Sequence, residues 1–386
     1  MAGRRARKNM SATWRIGILF SRSGITAVTE SEHFFGTALA IEEINAGGGV
    51  LGRQIEPIAY DPAGDPEAYR SLARKLLTED DVNVIFGCSM SGSRKAALPI
   101  VERHNGLLWY PSIYEGFEYS ENVLYTGATL NQNTFALADF IMQRYGPRIF
   151  MAGSDYIYPH ESNRVMRDLL ECKGGEIVGE HYVPLDADER TMRRLMKEIE
   201  KAEADAVFST VIGRSAQKLY GMYADAGIDR EKRPIASLTL AESEIRVIGP
   251  ERCTGHVLSA PYLATVENDE NHRFIRALTA RFDGNAMATM WSQTAYAQIH
   301  LFARALELGE TLDTHRLGQA ALAVDYMSPE GRLHLDPENR HVWSTPRIGV
   351  ANAKGQFDIA WESQVQIRPD PYLASIRFEE PWLRSS

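Results

Sequence analysis

"NVIFGCSMSGSRKAALPIVERHNGLLWYPSIYEGFEYSENVLYTG", residues 83–127, is the stretch on which the fold turns. It opens on an apolar run at 83–87, continues with helical spacing through 91–105, and returns to an apolar run at 107–112. A helix between two apolar strands is the signature of a crossover connection in a parallel sheet. The end of the stretch is different. Trp109, Tyr110, Tyr114, Phe117, Tyr119 and Tyr125 alternate with Pro, Ser, Glu and Gly, which mark turns. Aromatic residues on a loop beyond a strand predict the wall of a small pocket.

The same alternation extends in both directions. Upstream, strands are expected at 14–21 and 54–61. One helix follows Ser31, its predicted cap, and ends at Gly47–Gly49; another opens on Pro66. Downstream, a second round begins after residue 127. Its strands are expected at 148–156, 176–184, 206–212, 234–240 and 255–262, with helices at 131–145, 160–173, 188–203 and 214–226. Three helical stretches follow, near 270–282, 289–308 and 313–323, and then short strand-like pieces. Two rounds predict an α/β protein of two doubly wound parallel-sheet lobes. Ligands of such sheets bind beyond the carboxyl ends of the strands. Hydroxyl and phenol groups gather at those ends: Ser89, Ser91, Tyr110, Ser112, Tyr156, Tyr158 and Thr239. Two such mouths facing each other would close on a small, mostly neutral ligand.

Composition agrees with a globular chain. Of 386 residues, 44% are hydrophobic and 24% charged, and this length is more than one core usually serves. The net charge of −9 argues against direct binding of nucleic acid. No apolar run is long enough to span a membrane. Cys88, Cys172 and Cys253 lie far apart and read as free thiols. Arg4, Arg5, Arg7 and Lys8 are not followed by the apolar stretch of a secretory signal, so residues 1–12 are expected to be a disordered tail.

No catalytic or cofactor motif stands out. Ser91 precedes a helix and can serve as its cap, as a ligand group, or as both. Gly87–Ser91 misses the G-x-S-x-G pattern, and none of the ten histidines is placed as a base for a serine nucleophile. HExxH, calcium-loop, GxGxxG and Walker patterns are absent, so neither a metal nor another cofactor is expected.

The segments "IGILFSRSGITA", "DPAGDPEAYR", "YEGFEYSENVLYTGATLNQN", "GSDYIYPHESNRVMR", "IASLTLAESE" and "IRPDPY" resemble the type I periplasmic-binding-protein family. They are most similar to its branch of branched-chain amino acid, urea and short-chain amide binders. Within that branch, "GSDYIYPHESN" and "YEGFEYS" resemble the amide-sensing negative regulators of aliphatic amidase operons. The resemblance spans about residues 15–372.

It implies an N-terminal lobe of 13–127 and 262–330 and a C-terminal lobe of 128–261 and 331–386, closing around the ligand. It also implies a ligand held at Ser91, Tyr110, Ser112, Tyr156 and Tyr158, no catalysis, and an RNA-binding antiterminator protein as partner. Ser89, Ile113 and Ser112 depart from the expected aromatic, proline and threonine, which predicts extra space. Glu242 follows "SLTLA" and could hold an ammonium, as an acid does in amino acid binders. A cytoplasmic sensor is the leading expectation. The solute-binding component of a transporter, periplasmic if a signal has been removed, is the alternative. A homodimer stays open.

Overall fold

The computed structural model describes residues 13–374 and 382. The tail expected at 1–12 lies outside the described residues. The first round of the chain runs β1 (Thr13–Leu19), α1 (Ala27–Ala46), β2 (Gln54–Tyr60), α2 (Pro66–Thr78), β3 (Val84–Gly87), α3 (Ser91–Arg103), β4 (Leu107–Tyr110) and β5 (Val123–Tyr125). These strands form one all-parallel sheet in the order β2-β1-β3-β4-β5. Every residue of β3, β4 and β5 is buried, as expected of strands covered on both faces.

The second round runs α4 (Leu130–Arg144), β6 (Arg148–Ser154), α5 (Ile157–Cys172), β7 (Glu176–Val183), α6 (Glu189–Ala202), β8 (Ala206–Thr210), α7 (Gly213–Asp225) and β9 (Ile235–Ser237). It ends with α8 (Glu242–Ile248), α9 (Pro250–Cys253) and β10 (Val257–Ala260). The chain then adds α10 (Asp269–Phe282), α11 (Met290–Gly309), α12 (Thr314–Leu322), β11 (Asp325–Ser328), β12 (Gly331–His334), β13 (Arg347–Ala351) and β14 (Phe357–Glu362). The second sheet has the order β14-β13-β10-β9-β8-β6-β7, with β13 and β14 antiparallel at one edge. β11 and β12 make a separate hairpin.

Side-chain caps set many helix starts. Asp65 accepts from the Glu67 N–H before α2, Asp188 from Thr191 before α6, Asn268 from Asn271 before α10, and Asp313 from Arg316 before α12. The late helices return to the first sheet. On α11, Phe302 meets Phe86 and Trp109, while Gln298 accepts from Thr126. The end of the chain folds back as well. Ile367 and Ser344 exchange backbone hydrogen bonds, and the Phe117 N–H donates to the Pro371 carbonyl.

Several boundaries differ from the sequence reading. α1 begins at Ala27 rather than at Ser31, because the buried Glu30 accepts from Thr26 and from the Ser21 N–H and ties that turn down. α5 begins at Ile157 rather than 160, so Tyr158 lies in its first turn and Tyr156 at its cap position. Helices α8 and α9 and strand β11 were not expected. The three cysteines are free.

Candidate ligand-binding site

The carboxyl ends of β1, β3 and β4 face those of β6, β8 and β9 across one cavity of about 60 Å³. From the first sheet come Thr26 and Thr29 after β1, Ser89, Met90 and Ser91 after β3, and Ser112 and Ile113 after β4. From the second come Tyr156 and Tyr158 after β6, Ile212, Gln217 and Tyr220 around α7, and Thr239 and Glu244 after β9. Trp291 of α11 completes the wall. None of the lining residues is Lys, Arg or His. Among the described residues no cluster of His, Cys, Asp and Glu could hold a metal ion.

Seven of the nine residues named from the sequence therefore surround one space: Ser89, Ser91, Ser112, Ile113, Tyr156, Tyr158 and Thr239. Tyr110 and Glu242 do not line it. Tyr110 ends β4 but turns inward. Its hydroxyl donates to the Ser89 carbonyl at 2.5 Å, and burial pushes that phenol above the ordinary tyrosine range. Glu242 opens α8 with Oε1 accepting from the Ala264 N–H at 3.1 Å. Two residues along a helix point to nearly opposite sides, so Glu244 takes the cavity side instead. Glu244 accepts from the Thr29 hydroxyl at 2.9 Å, from Ser243, and from the Ala241 N–H. Burial raises its pKa against the pull of those hydrogen bonds.

The aromatic stretch is mostly a scaffold and not a pocket wall. The Tyr110 and Tyr114 rings each stand 4.8 Å from the guanidinium carbon of Arg94, and Tyr125 stacks on His341 at 4.2 Å. Phe117 and Tyr119 are half exposed. Arg94, fully buried, reaches Glu115 Oε1 and Glu118 Oε1, each at 2.7 Å. Ser91 is the first residue of α3 and not its cap. Its hydroxyl donates to Glu115 Oε2 at 2.8 Å, while Ser93 bonds the Ser89 N–H and the Met90 carbonyl.

Among the described residues, one buried polar atom of the lining has no hydrogen-bond partner, Trp291 Nε1, while the Tyr158 and Tyr220 hydroxyls have Ser162 and Ser237 beside them. Native interiors leave few such groups unpaired, and those at a cavity are where a ligand bonds. Sequence reasoning missed Tyr220, Gln217, Trp291, Thr26, Thr29 and Glu244. Thr26 and Thr29 follow β1 at the position the strand-end rule singles out, so they were within reach. Tyr220 lies on the third turn of a helix and Trp291 far along the chain, with no local signal to separate them from core.

The family model described as "Periplasmic binding protein domain" matches residues 14–377. The chain belongs to the periplasmic binding protein family. One curated relative, the leucine-, isoleucine-, valine-, threonine- and alanine-binding protein of Pseudomonas aeruginosa, is 24% identical over 305 residues, 78% of this chain and 80% of that protein. Among solved structures, the branched-chain amino acid transporter substrate-binding protein of Streptococcus pneumoniae, in complex with isoleucine, superposes with a TM-score of 0.81 at 20% identity. It covers 92% of this chain and 100% of that one. A solute-binding protein of an ABC transporter from Rhodopseudomonas palustris, in complex with 3,4-dihydroxybenzoic acid, gives 0.80 at 22% identity, covering 92% and 96%. At these identities the structural likeness is one of fold. This family is one of binding proteins, and the two solved structures are described as substrate- or solute-binding proteins of transporters, the role held above as the alternative. No helix among the described residues is long and apolar enough to cross a membrane.

Proposed function

We propose that the chain captures a small, uncharged, planar ligand of the amide or urea type between its two sheets, as the solute-binding component of an ABC transporter. The observation that carries the ligand reading is the lining of the cavity: hydroxyls and apolar walls from both sheets, no cation, and a carboxyl on Glu244 that burial pushes toward its neutral form. A lining of this kind suits acetamide, propionamide or urea. The family's solute-binding members support the transport role, with delivery from the periplasm.

A second reading is supported by "GSDYIYPHESN" and "YEGFEYS", which supply Tyr156, Tyr158 and Glu115 to the site and its support. In it the chain is a cytoplasmic amide sensor that restrains an RNA-binding antiterminator. A ligand shifts such a partner equilibrium only through its different affinity for the open and closed forms.

Isothermal titration with acetamide, propionamide, urea, leucine and benzoate tests the ligand. Binding of the short amides or urea with no response to leucine is expected; tight leucine or benzoate binding alone would sink the reading. Fractionation of the native cell separates the two roles. Protein in the periplasm supports transport, and an antiterminator that copurifies from cytoplasm and is released by amide supports the sensor.

A further inference from the structure

Ser91 carries one hydroxyl proton and two lone pairs. In most settings a serine rotates and donates or accepts as its partner requires. Here the choice is already made. Ser91 Oγ stands 2.8 Å from Glu115 Oε2, and Glu115 Oε1 stands 2.7 Å from Arg94 Nη2. A carboxylate paired with a guanidinium has only acceptors to offer, so the proton between Oγ and Oε2 belongs to the serine. Nor is Glu115 free to swing away. It is buried, both of its oxygens are engaged, and Arg94 is packed against the Tyr110 and Tyr114 rings and anchored a second time on Glu118.

We infer that Ser91 meets the ligand only as a hydrogen-bond acceptor, so that this end of the cavity selects an N–H group and turns away a carboxylate. The inference rests on the amide reading of the site and deepens it. Acetamide and acetate have nearly the same shape, so polarity decides between them. An amide NH2 donates to the free lone pair of Ser91. A carboxylate oxygen placed there faces another lone pair and loses its own hydrogen bond, and sites built for one polarity discriminate strongly against the other. The ligand oxygen is left to the other donors of the lining, Trp291 Nε1 and the Tyr158 and Tyr220 hydroxyls. Ser91 is then a specificity-determining residue, and Glu115 is a positioning residue that acts through it.

The test is a set of calorimetric titrations of acetamide and acetate against the wild-type protein, Ser91→Ala and Glu115→Gln, with acetate also read by competition and melting curves run beside them. Wild type is expected to prefer acetamide by about tenfold or more, the worth of one matched hydrogen bond. Ser91→Ala should weaken acetamide about tenfold and leave acetate no weaker. Glu115→Gln lets the serine proton turn into the cavity, so the acetamide-to-acetate ratio should fall about tenfold, where a merely structural loss would move both ligands together. If Glu115→Gln fails to fold, Ser91→Ala decides alone.

The inference is overturned if Ser91→Ala weakens both ligands alike, or if a folded Glu115→Gln keeps the wild-type ratio. If the wild-type protein ignores amides and takes leucine, the amide reading fails by itself. Leucine and 4-methylpentanoate then replace the pair. The assignment of Ser91 stands if only leucine weakens and falls if both do. Binding of none of the four ligands removes both.

Discussion

Glu242 sits at the start of α8, wholly buried, with one carboxyl oxygen bonded to the Ala264 N–H and the other without a partner. Burial lifts its pKa from 4.5 to about 7. The folded form therefore holds a proton that the unfolded chain releases. Stability is highest below the unfolded value and is lost as pH rises from about 4.5 to about 7. Above that the loss persists at on the order of 3 kcal/mol, from the size of the shift. Glu242→Gln carries no charge to bury. Its melting temperature should match wild type near pH 4 and exceed it by a margin that grows up to about pH 7 and then levels off. A constant difference across that range would show that Glu242 does not titrate in the folded protein. The polarity of single residues is also where the sequence was least legible. The strand-end rule found Ser89, Ser91 and Ser112. It could not foresee that Tyr110 turns inward, because that depends on Arg94 being buried beside it, a contact between residues on different elements.

At the scale of elements, α1 and α11 pack with their backbones in close approach. A methyl group on Gly36 would stand 2.0 Å from the Ser292 carbonyl oxygen, which is backbone and cannot rotate aside. Around it the Met287 N–H donates to Glu32 at 2.9 Å and the Tyr296 hydroxyl to Glu43 at 2.6 Å. Gly36→Ala must push the helices apart, at a cost of about 1–3 kcal/mol for overpacking of this kind. The expected outcome is a lower midpoint in urea with an unchanged slope; an unchanged midpoint would mean that α11 shifts freely on α1.

Most elements were legible because their apolar periodicity is long and their caps are conventional, as with Asp65 and Pro66 at α2. The misses share a cause. α8, α9 and β11 have seven, four and four residues, too few for a period to register. The starts of α1 and α5 are fixed by contacts of Glu30 and by the turn at Tyr156, not by a conventional capping residue.

For the molecule as a whole, burial divides the three thiols. Cys172 is exposed on α5. Cys88 and Cys253 are buried, with the Cys88 thiol pushed well up and that of Cys253 pushed up to about 12. The thiolate is the reactive form. An aromatic disulfide reagent at pH 8 should count one thiol in the native protein and three in denaturant. Two fast thiols in the native state would mean that one of the buried sites opens readily.

The partnership of α1 with α11 also bears on how the chain is made. Met287 and Glu32 are 255 positions apart. At roughly 5–20 residues per second, a ribosome takes about 13–50 s to deliver the second after the first. Throughout that interval the face of α1 that α11 will cover stays bare. The first sheet thus completes its covering layer only after most of the second round has emerged, so the earlier-made half is finished later. A nascent chain of this design therefore carries Glu32, Gly36 and Glu43 of α1 without their α11-side neighbours for most of its synthesis.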